Sequence, residues 1–304
     1  MSSPVPPDPA GAFPAAFSVH GRRCLITGGT RGIGLMVARH LAASGAHVLL
    51  SSRGVDACAE AERTVRAVVP GGAAHAFASY ADASSRGGTY VAAHPCDVST
   101  RAGCEELAAF AAEAYGGGLD VLINNAGAAW GEPLERKSGR MNWGFDRVMD
   151  LNVKAVFYMS AACLPLLEAA AAPAGAPSGR IINVGSIAGI VPQSAPTHAY
   201  DASKAAVHSL TRKLAADLAP KNITVNALAP GYVPTKMSKG LTKYGDMEEI
   251  RASVPLGRLG DDVDMAGAVI YLASRAGEWC TGTILTVDGG QTGAMTVATT
   301  VSKL

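Results

Sequence analysis

Short runs of apolar residues alternate along the chain with longer segments in which apolar residues recur at helical spacing. Each short run is bounded by glycine, proline or small polar residues, which is typical of strands buried in a parallel sheet. Seven runs are predicted to be strands: 23–27, 46–51, 89–95, 119–123, 180–184, 222–228 and 283–287. The segments between them carry the helical pattern, including 54–69, 101–115, 143–167 and 262–273. This alternation predicts an α/β fold, a doubly wound parallel sheet of about seven strands with helices on both faces.

The 304 residues are expected to form a single domain with extensions at both ends, since α/β folds often reach this length as one unit. Residues 1–20, rich in Pro and Ala, are predicted to be a flexible arm, and 21–290 the domain. Segment 70–88 exceeds the usual connection length and is predicted to be a surface insertion. Segment 232–258 is predicted to be a substrate lid, and 291–304 a tail.

A glycine-rich turn joins the first predicted strand to the first predicted helix. Glycines at its first, fifth and seventh positions allow a tight turn, close approach of a pyrophosphate and close helix packing, and the helix N-terminus supplies N–H groups. Strand, turn and helix in this order predict a dinucleotide-binding Rossmann domain. The predicted binding residues here are Thr27, Gly28, Thr30, Arg31, Gly32, Ile33 and Gly34.

The end of the second predicted strand indicates which dinucleotide is bound. An NAD site needs an acid there for the ribose 2′-hydroxyl, whereas a 2′-phosphate needs a cation. Ser52 and Arg53 occupy this place, Arg31 offers a second cation, and the first acid, Asp56, falls in the next helix. The sequence therefore favours NADP(H), the alternative being two solvated arginines.

Small and polar residues also follow later strands, where ligands bind in open α/β sheets. Asp97 is placed to accept from an adenine amino group or, alternatively, to cap the next helix, a role that Ser99 or Thr100 would fill equally well. The cofactor-binding residues predicted at these strand ends are Asp97, Val98, Asn125, Ala126, Gly127, Pro230, Gly231, Val233 and Thr235.

Tyr200 and Lys204 lie four residues apart at the head of a predicted helix, and therefore on one face of it. An adjacent cation stabilises a phenolate and lowers the phenol pKa from about 10, so the pair is suited to proton transfer. By spacing alone, a partly buried ring beside a solvated amine is the simpler interpretation. Ser186 ends a strand 14 residues earlier, which leaves enough loop to bring its hydroxyl to the phenol.

Asn152 lies within the long predicted helix 143–167. Its neighbours Leu151, Val153, Val156 and Phe157 are predicted to face the core. An amide among apolar side chains must find hydrogen-bond partners, so Asn152 is either structural or holds a water.

Composition excludes several classes of function. A net charge of +1 with 17% charged residues provides no positive electrostatic field that would attract nucleic acid or an anionic membrane. The six cysteines form no C-x-x-C pair and no cluster with histidine, so we expect reduced thiols and neither zinc nor disulfides. No uncharged apolar run approaches the ~20 residues that span a bilayer.

The last three residues, Ser302, Lys303 and Leu304, match the address that the peroxisomal import receptor reads at an extreme C-terminus. We expect import into peroxisomes, with a cytoplasmic location as the alternative.

From Arg23 to Gly290 the chain resembles the short-chain dehydrogenases/reductases. The family's T-G-x-x-x-G-x-G and N-N-A-G motifs appear at 27–34 and 124–127, and its P-G and D-G-G at 230–231 and 288–290. The catalytic set that the resemblance implies is Asn152, Ser186, Tyr200 and Lys204.

The resemblance implies hydride transfer between a nicotinamide and a carbonyl carbon. Tyr200 would donate the proton, Ser186 would bind the carbonyl oxygen, and Lys204 would bind the nicotinamide ribose and lower the phenol pKa. Asn152 would anchor a water. The resemblance also implies a homodimer or homotetramer joined through the helices that carry Asn152 and Tyr200.

Within the family the chain looks most like 3-oxoacyl reductases of the branch associated with rhamnolipid synthesis. The cues are the turn 28–32, Trp130-Gly131 and the run 203–208. The insertion, the N-terminal arm and the S-K-L tail depart from the bacterial pattern and favour a CoA-linked over a carrier-bound acyl group. Three lysines of the predicted lid would then contact the CoA phosphates or, alternatively, be simply solvated: Lys236, Lys239 and Lys243. The alternatives are a sugar ketone, a polyol or a polyketide-like cyclic ketone as substrate and, from another class, a non-catalytic NADP-binding sensor or scaffold.

Overall fold

A parallel sheet with helices on both faces forms the centre of the molecule. The computed structural model describes residues 14–135, 143–171, 179–238 and 247–293, apart from the side chain of Trp143. The strands are β1 Arg23–Thr27, β2 His47–Ser52, β3 Ala76–Phe77, β4 Thr89–Pro95, β5 Val121–Asn124, β6 Gly179–Val184, β7 Ile223–Pro230 and β8 Ile284–Val287. Within the described residues they form one sheet in the order β3-β4-β2-β1-β5-β6-β7-β8. The predicted α/β fold is confirmed, with eight strands in place of about seven.

The order of the strands reverses beside β1, which lies between β2 and β5. Thr27 is in register with Ser51 on one side and with Asn124 on the other, so the carboxyl ends of these strands meet at one edge. Ligands of open α/β sheets bind at such a switch point. The glycine turn, Ser52 and Asn125 follow these strand ends and are therefore neighbours.

Two apolar cores, one on each face of the sheet, hold the helices in place. The helices are α1 Gly32–Ala43, α2 Val55–Arg66, α3 Tyr80–Arg86, α4 Arg101–Ala114, α5 Trp143–Met149, α6 Ala155–Ala171, α7 His198–Leu218, α8 Met247–Ala252 and α9 Asp262–Ala273. Helices α1, α2 and α9 share one core with Cys24 and Ile26 of β1, and α3, α4, α6 and α7 share the other with Leu25. The side chains of β1 alternate between the two cores because successive strand residues point to opposite faces. The doubly wound arrangement follows.

The segment predicted to be a surface insertion, 70–88, extends the sheet by an edge strand. Ala76 of β3 pairs with Thr89 of β4, and Ala83 of α3 is fully buried. The Arg66 guanidinium donates to the carbonyl oxygens of Ala76 at 2.8 Å and Val91 at 2.7 Å, which ties α2 to the edge strand β3 and to its neighbour β4. A strand of two residues is too short to leave an apolar run, so the pattern missed it.

The long predicted helix 143–167 is interrupted by a π-helical turn, Asp150–Lys154, between α5 and α6. Val156 is buried as predicted, but Phe157 is 49% exposed. Successive helical residues point about 100° apart, so neighbours seldom share a buried face. By length and composition, residues 144–171 would also suffice to cross a membrane, which is weak evidence because core helices meet the same criterion. Met159, Cys163 and Leu167 of α6 are buried in one of the two cores.

Candidate active site

A cavity of about 810 Å³ opens at the carboxyl edge of the sheet. Its wall combines the glycine turn, the ends of β2, β4, β5, β6 and β7, the head of α7 and parts of the predicted lid. Most of the residues predicted to bind a cofactor line it: Gly28, Thr30, Arg31, Gly32, Ile33, Ser52, Arg53, Asp97, Val98, Asn125, Ala126, Gly127, Tyr200, Lys204, Pro230, Gly231, Val233 and Thr235. The sequence motifs therefore converge on one cavity.

Thr27 and Gly34, the two remaining predicted residues, support the glycine turn from behind. The Thr27 hydroxyl accepts hydrogen bonds from the backbone N–H groups of Asn125 and Ala126, both at 3.1 Å. The Asn125 amide in turn donates to the carbonyl oxygens of Thr27 at 3.0 Å and Gly28 at 2.9 Å. A Cβ atom on Gly34 would lie 2.4 Å from the Asn125 amide nitrogen, so only glycine allows this packing.

The N-terminus of α1 faces the cavity and fits an anionic group. Gly28 and Gly32 have φ angles of 64° and 54°, the left-handed region that glycine adopts without strain. Arg31, at the N-cap, makes no side-chain capping hydrogen bond, and the first turn of α1 holds no acid. Helix N-termini without a cap leave backbone N–H groups for a ligand, as a pyrophosphate requires.

Hydroxyl and cationic groups line the cavity beyond β2. Ser52, Arg53 and Arg31 are part of its wall, whereas Asp56 is not. This donor set suits a 2′-phosphate better than a ribose 2′-hydroxyl.

Asp97 lines the cavity next to this cationic region. Burial acts to raise the pKa of Asp97, but hydrogen bonds from Ser99 and the charges of Arg53 and Arg147 outweigh it and lower the pKa. The Thr100 hydroxyl caps α4 by accepting from the backbone N–H of Gly103 at 3.0 Å. The capping role considered for Asp97 thus falls to Thr100, as one alternative predicted.

Tyr200 and Lys204 lie side by side in the first turns of α7, with the ammonium nitrogen 5.6 Å from the centroid of the phenol ring. Lys204 is buried, its Nζ donates to the carbonyl oxygen of Val184 at 2.7 Å, and burial lowers its pKa to about 8. Burial raises the pKa of Tyr200, opposed by a hydrogen bond with Ser186 and reinforced by the Asp201 carboxylate. In this structure the pKa of Tyr200 is therefore raised, not lowered as expected beside Lys204, and burial is the largest cause. The Ser186 hydroxyl lies close enough to the phenol to act on its pKa.

Asn152 lies in the π-helical turn, one layer behind the cavity wall. Its side-chain oxygen accepts from the backbone N–H of Ala128 at 2.8 Å, and its nitrogen donates to the Ala128 carbonyl and the Ser203 hydroxyl, both at 2.9 Å. These bonds join the turn after β5 to α7 beside Lys204. The structural alternative for the Asn152 side chain fits this geometry.

Several residues of the wall carry no motif and were not singled out from the sequence, although 249–253 fall within the predicted lid. They are Gln193, Ser194, Ala195 and Thr197 before α7, Glu249, Ile250 and Ser253 in or after α8, and Gln291. Gln291 was assigned to the tail, but its amide donates to the Ser253 hydroxyl at 3.2 Å and thereby joins the D-G-G segment to the lid. Its place directly after that motif was the available signal.

The lid is described in two parts, 232–238 and 247–258, and Lys236 lines the cavity. Lys239 and Lys243 lie outside the described residues. In the described part of the chain no group of three or more His, Cys, Asp or Glu residues is placed to hold a metal ion.

Comparison with known proteins identifies the family. A family model described as enoyl-(acyl carrier protein) reductase matches residues 28–292. The rhamnolipids biosynthesis 3-oxoacyl-[acyl-carrier-protein] reductase of Pseudomonas aeruginosa is 39% identical over 275 residues, covering 90% of this chain and 97% of that protein. Galactitol 2-dehydrogenase (L-tagatose-forming) of Cereibacter sphaeroides is 36% identical over 286 residues, covering 92% and 98%.

A solved structure gives the same result. The Pseudomonas aeruginosa RhlG/NADP active-site complex superposes with a TM-score of 0.77 at 38% identity, and the match covers 91% of this chain and 99% of that one. With the motifs gathered around one cavity and the family match over most of its length, the chain belongs to the short-chain dehydrogenase/reductase family.

Proposed function

We propose that the protein is an NADPH-dependent ketoreductase, which reduces the carbonyl group of a 3-oxoacyl thioester to a secondary alcohol. The observation that carries the proposal is the placement of Tyr200, Ser186 and Lys204 in one cavity with the glycine turn and Arg53. The similarity to a 3-oxoacyl reductase and to a structure solved with NADP supports the same conclusion.

NADPH supplies the hydride when bound. Its pyrophosphate would lie on the glycine turn and the N-terminus of α1, and its 2′-phosphate beside Ser52, Arg53 and Arg31. The nicotinamide end would lie towards Lys204, near the residues that follow β7.

Tyr200 acts as the general acid in this mechanism. Its pKa is raised, so the phenol is protonated at neutral pH and has a proton to give to the carbonyl oxygen. Ser186 donates a hydrogen bond to the same oxygen, which strengthens as negative charge develops there. Lys204 holds a proton next to the phenol and would bind the cofactor ribose, and Asn152 fixes the backbone of Ala128 behind them.

The substrate class is tested by comparing acetoacetyl-CoA with ketoses and cyclic ketones under NADPH. Met237 and Ile250 give the lid side of the cavity apolar surface for an acyl chain. The relative that oxidises galactitol favours the polyol alternative, and Gln193 and Ser194 supply polar groups for it. A higher kcat/KM for acetoacetyl-CoA supports the proposal, whereas preference for a ketose or cyclic ketone assigns the second function. NADPH binding without turnover of any carbonyl compound identifies a non-catalytic protein.

Arg53→Ala is expected to weaken NADPH binding by roughly 10- to 100-fold, the value of a hydrogen bond to a charged group. NADH has no 2′-phosphate, so its Kd is expected to stay within about twofold of wild type, because that charged contact is absent. Fluorescence titration with both cofactors measures the two values. Arg63→Ala is the matched control, since Arg63 is exposed on α2, pairs with Glu60 and does not line the cavity. Equal losses for NADPH and NADH in Arg53→Ala would contradict the 2′-phosphate assignment.

We further propose that the protein is imported into peroxisomes through Ser302, Lys303 and Leu304, which lie outside the described residues. The signal works only at the extreme C-terminus, so the fluorescent protein is fused to the N-terminus. Deletion of the three residues is expected to change punctate into cytosolic fluorescence, and so is addition of a short peptide after Leu304. Punctate fluorescence in both variants would rule the signal out.

We also propose a homodimer or homotetramer joined through α5, α6 and α7. Phe145 and Phe157 leave 42% and 49% of their surfaces exposed on this side of the chain. Exposed aromatic side chains are favoured at the centres of protein interfaces. Light scattering after gel filtration gives the subunit number, and a monomer at micromolar concentration would refute the proposal.

A further inference from the structure

Asp201 directly follows Tyr200 in the first turn of α7, and its carboxylate binds the loop that precedes the helix. Its Oδ1 accepts from the Thr197 hydroxyl at 2.9 Å, and its Oδ2 accepts from the backbone N–H of Gln193 at 3.2 Å. Thr197 is only 4% exposed, so this hydroxyl is largely out of contact with water. The mechanism above gives Asp201 no task.

The loop held by Asp201 is part of the cavity wall. Gln193, Ser194, Ala195 and Thr197 all line the cavity, between Ser186 at the end of β6 and Tyr200 on α7. The glycine turn and Arg53, where the dinucleotide would bind, follow β1 and β2. The loop lies instead between the end of β6 and the head of α7, and we therefore take it as the substrate side of the cavity. Asp201 therefore fastens the substrate-side wall to the helix that carries the proton donor.

The carboxylate also acts on the phenol through its charge. Apart from burial, the groups that influence the pKa of Tyr200 are the Ser186 hydroxyl and the Asp201 carboxylate. The Lys204 ammonium lies 5.6 Å from the centroid of the ring. Burial raises the phenol pKa, and Asp201 raises it further because a neighbouring negative charge disfavours the phenolate.

We propose that Asp201 is a positioning residue with two linked effects: it sets the shape of the substrate-side wall and keeps Tyr200 in its proton-donating form. The second effect rests on the proposed ketoreductase function. A simpler role exists for an acid in a first helical turn, since it interacts favourably with the helix dipole. That role changes stability but neither the pH dependence nor substrate binding.

Two variants separate the charge of Asp201 from its hydrogen bonds. Asp201→Asn keeps one acceptor oxygen for the loop but removes the charge, so its KM is expected to stay within about threefold of wild type. The Tyr200 phenol then ionises at lower pH. Carbonyl reduction needs the protonated phenol, so its alkaline limb is expected to shift down by about half a pH unit. Alcohol oxidation needs the phenolate and is expected to be about threefold faster at a fixed pH below that limb.

Asp201→Ala removes both hydrogen bonds and frees the loop, so KM for the carbonyl substrate is expected to rise about tenfold, with NADPH affinity unchanged. Asp217→Asn is the control, because Asp217 is exposed at the far end of the same helix and pairs with Lys213. Circular dichroism and NADPH titration confirm that each variant is folded. An alkaline limb that does not move in Asp201→Asn, or an unchanged KM in Asp201→Ala, overturns the proposal.

A titration that needs no turnover separates this proposal from the proposed function. The Cζ resonance of Tyr200, labelled with ¹³C and assigned with Tyr200→Phe, reports ionisation of the phenol directly. Asp201→Asn is expected to lower this midpoint, and an unchanged midpoint overturns the charge effect. A wild-type protein that reduces no carbonyl compound refutes the ketoreductase, whatever the titration shows.

Discussion

Tyr200→Phe is expected to lower kcat by about 10² or more, the usual effect of losing a general acid. The ring keeps its place next to Lys204, and only the hydroxyl that meets Ser186 is removed. The residues around the glycine turn are unchanged, so the Kd for NADPH is expected to stay within about twofold of wild type, because only contacts at the reacting oxygen are lost. Steady-state kinetics with the best carbonyl substrate and fluorescence titration of NADPH measure the two quantities.

Tyr232→Phe provides the matched control for this prediction. Tyr232 also lines the cavity, but its hydroxyl donates to the carbonyl oxygen of Ser238 at 3.0 Å, within the lid. Its loss is expected to act mainly on KM, because a lid contact contributes to substrate binding and not to proton transfer. If Tyr200→Phe turns over at the wild-type rate, Tyr200 is not the acid.

The glycine turn and the strand ends could be predicted because their constraints are local. Gly28 and Gly32 adopt left-handed backbone conformations, and Gly34 packs against the Asn125 amide, so each requirement leaves a glycine at a fixed place in the sequence. The parallel register then brings the strand ends together without further information.

The substrate side of the cavity could not be predicted in the same way. Gln193, Ser194 and Gln291 reach the wall through loop geometry that depends on distant partners, such as Asp201 for the first and Ser253 for the last. These residue types are common in loops and carry no motif. The edge strand β3 was missed for a different reason, since two residues show no periodicity.

The direction of the Tyr200 pKa depends on burial, which the spacing of Tyr200 and Lys204 does not contain. On an exposed helix the ammonium would be the main influence on the phenol. In the folded chain Lys204 is itself buried and donates to the Val184 carbonyl, and burial becomes the largest influence on both groups. The predicted adjacency of the two side chains is confirmed, whereas the phenol pKa is shifted in the opposite direction to the one expected.

A buried ammonium at the active site has a measurable cost in stability. The pKa of Lys204 falls from 10.5 to about 8, which corresponds to about 3 kcal/mol of disfavoured charge below pH 8. Removing the ammonium also leaves the Val184 carbonyl without this donor, which costs about 1 kcal/mol. The net penalty of keeping Lys204 at neutral pH is therefore about 2 kcal/mol, a stability–activity trade-off of the kind that active sites often show.

Lys204→Met is expected to make the cofactor-free protein about 2 kcal/mol more stable at pH 7 while lowering kcat by about 10² or more. Because the folded-state pKa lies below the unfolded value of 10.5, the wild type gains stability as the pH rises from about 8 to 10.5. The variant lacks this gain of about 3 kcal/mol, so its advantage is expected to be largest below pH 8 and to become a disadvantage of about 1 kcal/mol by about pH 10.5, where only the loss of the donor to the Val184 carbonyl remains. Guanidinium unfolding at pH 7 and pH 10 measures the difference in stability and its pH dependence.

Lys213→Met, at an exposed position of the same helix paired with Asp217, is expected to change stability by less than about 1 kcal/mol at either pH. A Lys204→Met protein that is less stable than wild type at pH 7, or an advantage that does not depend on pH, would show that the ammonium is adequately solvated by its partners and that burial does not control this site.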